Sequence, residues 1–354
     1  IRKKWTGTIR YVLLAIDIPR GNEQSPKAVE NMFSYLAGAH STFNLIEKYW
    51  EGKVQLSFSL EIVSIDGYTQ FLIRTPVHSR DLVESAVYSQ YPDAEITEVN
   101  DYTEGIPIMF PNDEYDVWGC EFIQKTSSAY PIKTYKEFEN PTGDPELAYK
   151  DPMATLMDLT SSLKKGEQLW YQIILIPIGF DWPTIADSEV KKILKEKDDS
   201  KKHLGDKIVD TIVKWLEEFS EAIYSMWGDI EEKEKEKQEQ PFKMMNLKPR
   251  EKKQVEALHD KTSKLGFEFK IRFVYVAKKE VMNKPKVTHG FVGYMKQFAS
   301  LDLNNLKPDM DKTATKVHYF FKDYRLTLKK KKIVRNYKKR DKAAGRKAGI
   351  MNIE

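Results

Sequence analysis

The stretch from Tyr11 to Tyr102 constrains the fold most, because it reads strand, helix, strand, strand, helix, strand. YVLLAIDIP (11–19) alternates Val12, Leu14 and Ile16 with Leu13, Ala15 and Asp17, and it stops at a proline that cannot continue a ladder. Ser25-Pro26 then supplies an N-cap with proline at the first helical position, and Val29, Met32, Phe33, Leu36 and Ala37 recur along one helical face. VQLSFSLEIVSI (54–65) alternates, turns through Asp66-Gly67 and returns as YTQFLIRTP (68–76), which is a hairpin signature. A second helix capped by Ser79 carries Leu82, Val83, Ala86 and Val87 and precedes the short strand AEITEV (94–99). The order βαββαβ is that of a ferredoxin-like unit.

The remainder repeats this outline. TEGIPIMFPNDE (103–114) has two prolines, a glycine and a cluster of acids, so it is expected to link two domains. A strand at 115–124, a helix at 152–164 that opens at Asp151-Pro152, and the apolar strand EQLWYQIILIPIGF follow. Residues 183–265 interrupt the pattern with charged helical sequence. Within it, 203–227 places Leu204, Ile208, Ile212, Trp215, Leu216, Phe219, Ile223 and Met226 on one face, 230–240 is almost wholly charged, and Pro249 opens another helix running to Gly266. These helices are expected to pair as a hairpin. The unit resumes with FEFKIRFVYVA (267–277), a helix at 287–301 weakened by Gly290 and Gly293, and an expected long final strand over 316–332. The fold class is therefore α+β: ferredoxin-like unit 1 (11–102), then unit 2 (115–332) with its helical insertion, preceded by a basic lead-in (1–10) and followed by a basic linker or tail (333–354). The local match of Phe71-Leu-Ile-Arg74 with Phe269-Lys-Ile-Arg272 supports tandem duplication.

Charge is distributed unevenly. Residues 1–150 hold 14 Lys and Arg against 22 Asp and Glu, whereas 322–347 hold 13 Lys and Arg against Asp323 and Asp341. Lys329, Lys330, Lys331, Lys332, Arg335, Lys338, Lys339, Arg340, Lys342, Arg346 and Lys347 are thus the candidate contacts for nucleic acid or anionic lipid. The aromatics interleaved with this block, Tyr319, Phe320, Phe321, Tyr324 and Tyr337, would suit base stacking. Alternation along the expected strand instead assigns Tyr319 and Phe321 to the core. A single cysteine, Cys120, excludes an intrachain disulfide and a cysteine-built zinc site.

No catalytic constellation emerges. Phosphate-binding loops require Gly-x-x-x-x-Gly-Lys-Ser/Thr, so that backbone N–H groups and the lysine can wrap the phosphates, and no stretch fits. Dinucleotide and nucleophile-elbow motifs are likewise missing, and the six histidines form no His-x-x-x-His pair. Asp302, Asn304, Asp309 and Asp311 lack the glycine and terminal glutamate of an EF-hand loop. No cofactor is expected.

Several phrases together resemble a known family: AIDIPRGNEQSPKAVENMFSYLAGAHS, EKYWEGKVQLSFSLEIVSIDG, YPIKTYKEFENPTGDP and, most specifically, RTPxxxRDLVESxxYxQYPDAEI at Arg74 to Ile96. They resemble the region preceding the motor in type IV secretion or conjugation DNA-binding ATPases of the HerA and FtsK type, found in bacteria of the candidate-phyla radiation. The resemblance covers roughly 5–180 well and the rest loosely. It implies a non-catalytic, membrane-proximal structural or regulatory module that positions an ATPase domain of the same protein and mediates subunit or DNA contacts. It also implies homo-oligomerisation through the complete protein and a place at the cytoplasmic face of the bacterial inner membrane. The start at Ile1, followed by Arg2, Lys3 and Lys4, fits a piece of a longer protein. The alternative is a free-standing nucleic-acid-binding protein that uses the basic C-terminal stretch.

Overall fold

All sheet pairing in the computed structural model is antiparallel, and it joins nine strands into one sheet. The structure describes residues 2–19, 24–138, 151–194 and 247–354. The strands are β1 (Tyr11–Asp17), β2 (Phe58–Ile65), β3 (Tyr68–Pro76), β4 (Glu95–Glu98), β5 (Tyr115–Gln124), β6 (Glu167–Pro177), β7 (Gly266–Lys278), β8 (Leu306–Pro308) and β9 (Gly349–Asn352). Across the sheet the order is β4-β1-β3-β2-β6-β7-β5-β8, and β9 pairs with the start of β7. The β2–β3 turn has Asp66 at φ 56° and Gly67 at φ 89°, the two left-handed residues that a tight hairpin needs. The halves meet along β2 and β6, paired from Phe58↔Leu175 to Ile65↔Gln168.

Alternation along the strands separates two faces. One carries Leu14, Ile73, Leu169, Tyr171, Ile271, Phe273 and Tyr275, all buried, and it is covered by four helices. These are α2 (Pro26–Ala37), α3 (Arg80–Tyr88), α4 (Met153–Ser161) and, after two helices described below, α7 (Lys284–Lys296). Phe291 of α7 stacks on Phe273 at 4.0 Å between centroids. Gly290 lets α7 pack close to α4, since a Cβ there would lie 2.8 Å from the Leu159 side chain, which would have to shift. The two intervening helices, α5 (Thr184–Ile193) and α6 (Pro249–Thr262), join Ala186 and Leu258 to Ala129 in a small separate core. A helix α1 (Arg2–Thr8) forms within the expected basic lead-in.

The opposite face holds Leu13, Ala15, Leu72, Val63, Trp170, Val274, Val276 and Val117, together with a row of polar groups. Here the structure corrects the reading of 316–332. Residues Lys322–Lys338 form a helix, α8, which lays Ile333, Val334 and Tyr337 on this face. Tyr319 and Phe321 are not core residues but are 73% and 81% exposed. The short alternation around them suited a strand, but Ile333, Val334 and Tyr337 share one helical face, and a half-apolar sheet face needed that cover. The strand outside β5 is instead β8, only three residues long. Residues 333–354 are not a loose tail: they complete α8, cross the polar row and return to the sheet as β9. Gly266 is the first residue of β7 rather than a helix terminus, and a Cβ there would lie 2.8 Å from the Trp182 indole. The helix expected over 203–227 and the charged run 230–240 lie outside the described residues.

Candidate functional site

The polar row comes from register. Glu61 on β2 faces Gln172 on β6, Gln172 faces Arg272 on β7, and Arg272 faces Glu121 on β5. All four are buried, with Arg272 and Gln172 fully so. Burying such charges is tolerable only when every oxygen and N–H group is engaged.

The segment after α8 supplies the missing partners. Arg340 donates from Nε and Nη2 to the Glu61 carboxylate at 2.9 and 3.0 Å and from its guanidinium to Asp101. Glu61 also accepts from Ser59 Oγ, the Tyr102 hydroxyl and Gln172 Nε2. Arg272 donates Nε to Glu121 at 3.0 Å and its remaining N–H groups to Gln172 Oε1 and to the Asn336, Asp341 and Ala344 carbonyls. Glu121 in turn accepts the Arg346 backbone N–H at 2.7 Å. Arg272 and Glu121 are thereby stapled to main-chain groups of residues 336–346, and Glu61 to the Arg340 side chain.

Local backbone geometry brings this about. The helix ends in a Schellman arrangement, with Arg340 N–H on the Tyr337 carbonyl and Asp341 N–H on the Asn336 carbonyl. Its left-handed position, normally glycine, is Arg340 at φ 48°. The glycine appears instead at Gly345, φ +91°, where a Cβ would sit 2.1 Å from the Glu121 carboxylate. Burial works to raise the Glu61 carboxyl, but the Arg340 guanidinium outweighs it and holds Glu61 below the usual carboxylate range. Burial likewise opposes ionisation of Asp309, yet Arg346 at 2.7 Å and the Thr313 hydroxyl hold it down at about 2.

The eleven candidate cations are thus sorted by their surroundings. Arg340 is 5% exposed and occupied by Glu61 and Asp101, so it is not a surface contact. Lys330 pairs with Asp116, Arg346 with Asp309, Lys338 donates to the Ile106 carbonyl and Lys342 to the Gln55 carbonyl. Lys329 reaches the Asp311 and Lys316 carbonyls. Lys331 is half-buried, while Lys332, Arg335, Lys339 and Lys347 are exposed. Lys332, Arg335 and Lys339 share the outward face of α8 with Tyr324 and Leu328, spaced by three or four residues.

What sequence reasoning missed is the sheet half of the staple. Glu61, Gln172, Arg272 and Glu121 stand at strand positions where apolar residues would be expected, a signal visible as polar interruptions in otherwise alternating runs. Among the described residues no group of three or more His, Cys, Asp or Glu is placed to hold a metal, and no helix is long and apolar enough to cross a membrane. Cys120 is buried, which pushes its thiol well above the ordinary range.

A family model matches residues 18–305. The chain belongs to that family, described as Domain of unknown function (DUF8128). The match contains Glu61, Asp101, Glu121, Gln172 and Arg272, whereas α8 and Arg340 lie beyond it in this DUF8128 chain. No curated protein matches the chain.

Proposed function

We propose that this chain is a non-catalytic positioning module of two ferredoxin-like units fused edge to edge, the pre-motor part of a DNA-translocating type IV secretion or conjugation ATPase. In support of the two units, β4-β1-β3-β2 and, read from the other edge, β8-β5-β7-β6 repeat one order, 4-1-3-2. Each half also offers two helices to the same face, and residues 183–265 take the place of the hairpin turn between β6 and β7. The resemblance at Arg74 to Ile96 supports the motor context.

The observation that carries the positioning role is the buried staple: two fully or nearly fully buried arginines, Arg272 and Arg340, bind residues 336–346 to the sheet. A chain segment held this way transmits displacement rather than absorbing it. Such a module would present a motor and bring subunits together without chemistry of its own.

Two measurements test the reading. Steady-state hydrolysis assays with magnesium and ATP should show no turnover by this chain, and turnover would overturn the non-catalytic role. Mass spectrometry of the native polypeptide, and of proteins captured with it from its own cells, should find an ATPase domain in the same protein. A native polypeptide without one, and with no ATPase partner, would overturn the motor context.

A further inference from the structure

The turn before α8 does something unusual with its aromatic residues. Tyr319, Phe320 and Phe321 are consecutive yet all point outward, exposed by 73%, 82% and 81%. They manage this because Phe320 and Phe321 both have positive φ, 21° and 50°, which prevents the alternation a strand would impose. Bulky residues adopt that backbone at a cost, so the conformation needs support from its surroundings. Arg325 provides it, donating through Nη1 to the Tyr319 carbonyl at 3.0 Å and through its backbone N–H to the Phe321 carbonyl at 3.0 Å.

The patch continues along α8. Tyr324 and Leu328 are exposed on the outward stripe, which then turns cationic at Lys332, Arg335 and Lys339. From Tyr324 to Lys339 the stripe is about 22 Å long at the helical rise. Between residues 312 and 339 there are eleven Lys and Arg against Asp323 alone.

We propose that this turn and the outward face of α8 dock on an anionic lipid bilayer surface, with the aromatic end entering the headgroup layer and the cations meeting lipid phosphates. The chemistry is that of an interfacial helix, which combines an apolar edge with Lys and Arg drawn to the negative leaflet. Phe320 and Phe321 carry no polar atom, so hydrocarbon suits them better than water does. A single nucleic-acid strand fits less well, because it is tracked by a charged groove with stacking platforms. The cleft beside the stripe, lined by Lys312, Lys329, Lys332 and Asn336, holds only about 20 Å³, room for one water. The docking requires no motor and stands apart from the positioning role.

Vesicle co-sedimentation tests it, using phosphatidylcholine vesicles with and without about a third phosphatidylglycerol. The chain should bind the anionic vesicles and not the neutral ones. Phe320→Ser with Phe321→Ser should weaken that binding about tenfold, and Lys332→Glu with Arg335→Glu should abolish the preference for anionic lipid. Leu328→Ser, outside the strained turn, should weaken binding in the same direction, with each variant's melting temperature checked against the parent. Absence of vesicle binding, or binding unchanged by the double phenylalanine substitution, would overturn the proposal. So would loss of single-stranded oligonucleotide binding, or of self-association in sedimentation velocity, in place of loss of vesicle binding.

Discussion

At the residue scale the decisive choice is Arg340 where helix termination alone would favour glycine. The left-handed backbone costs an L-residue roughly 1–2 kcal/mol, and the two carboxylates it reaches, Glu61 and Asp101, offset that cost. Removing one member of a buried pair leaves the other charged and alone. Arg340→Met is therefore expected to lower the unfolding free energy in urea by about 3–5 kcal/mol. Glu61→Gln in the same chain should recover part of the loss, and an additive double variant would show that the pair is not coupled. Asp309 gives a pH signature. Its carboxyl is held at about 2, below its value in an unfolded chain, so its contribution is present above about pH 4 and is lost as pH falls towards 2. Urea titrations from pH 5 to 2 should show this loss, and Arg346→Met should flatten the curve over that window.

At the element scale, α6 carries Lys261, 4% exposed, whose ammonium donates to the Ser128, Tyr130 and Ile350 carbonyls. It ties the helix to the loop after β5 and to β9. Burial pushes its amine down to about 7. A depressed lysine value means that the unfolded chain binds more protons between about pH 7 and 10.5, so stability should rise with pH across that window. Lys261→Met should remove that rise when unfolding is followed from pH 7 to 10, and an unaltered slope would place its origin elsewhere. For α8, the inward residues set docking strength. Tyr337 is fully buried, its ring lies 5.3 Å from Trp170, and its hydroxyl shares a hydrogen bond with Tyr102 at 2.8 Å. Tyr337→Ala is expected to cost about 3–5 kcal/mol and to raise amide exchange through residues 336–346, read by hydrogen-exchange mass spectrometry.

At the scale of the whole molecule, the seam between β2 and β6 makes the two halves share a sheet, and both core faces run across it. Separate unfolding of either half would expose a long central strand edge and the apolar side chains beside it. Calorimetry should therefore show one transition for the body built on this sheet. Two resolved transitions, one per half, would mean that the seam contributes little.

Much of the fold was legible from local pattern. Alternation in YVLLAIDIP, the Asp66-Gly67 turn and Pro26 after Ser25 are each written in a few adjacent residues, and they specify β1, the β2–β3 hairpin and α2. Cation clustering at 322–347 is likewise plain in the sequence. Its meaning was not, because a lysine or arginine reads the same whether it faces solvent, as Lys332 does, or a buried glutamate, as Arg340 does. The helix α8 was hidden because strand-like aromatics precede it and because its apolar face has only Ile333, Val334 and Tyr337 buried. The staple joins residues as far apart as Glu61 and Arg340 through cross-strand register. Periodicity within a segment determines the elements, since backbone geometry acts over a few residues. Which buried charge meets which, and which aromatics stay outside, depends on contacts hundreds of residues apart, and only the packed tertiary structure decides those.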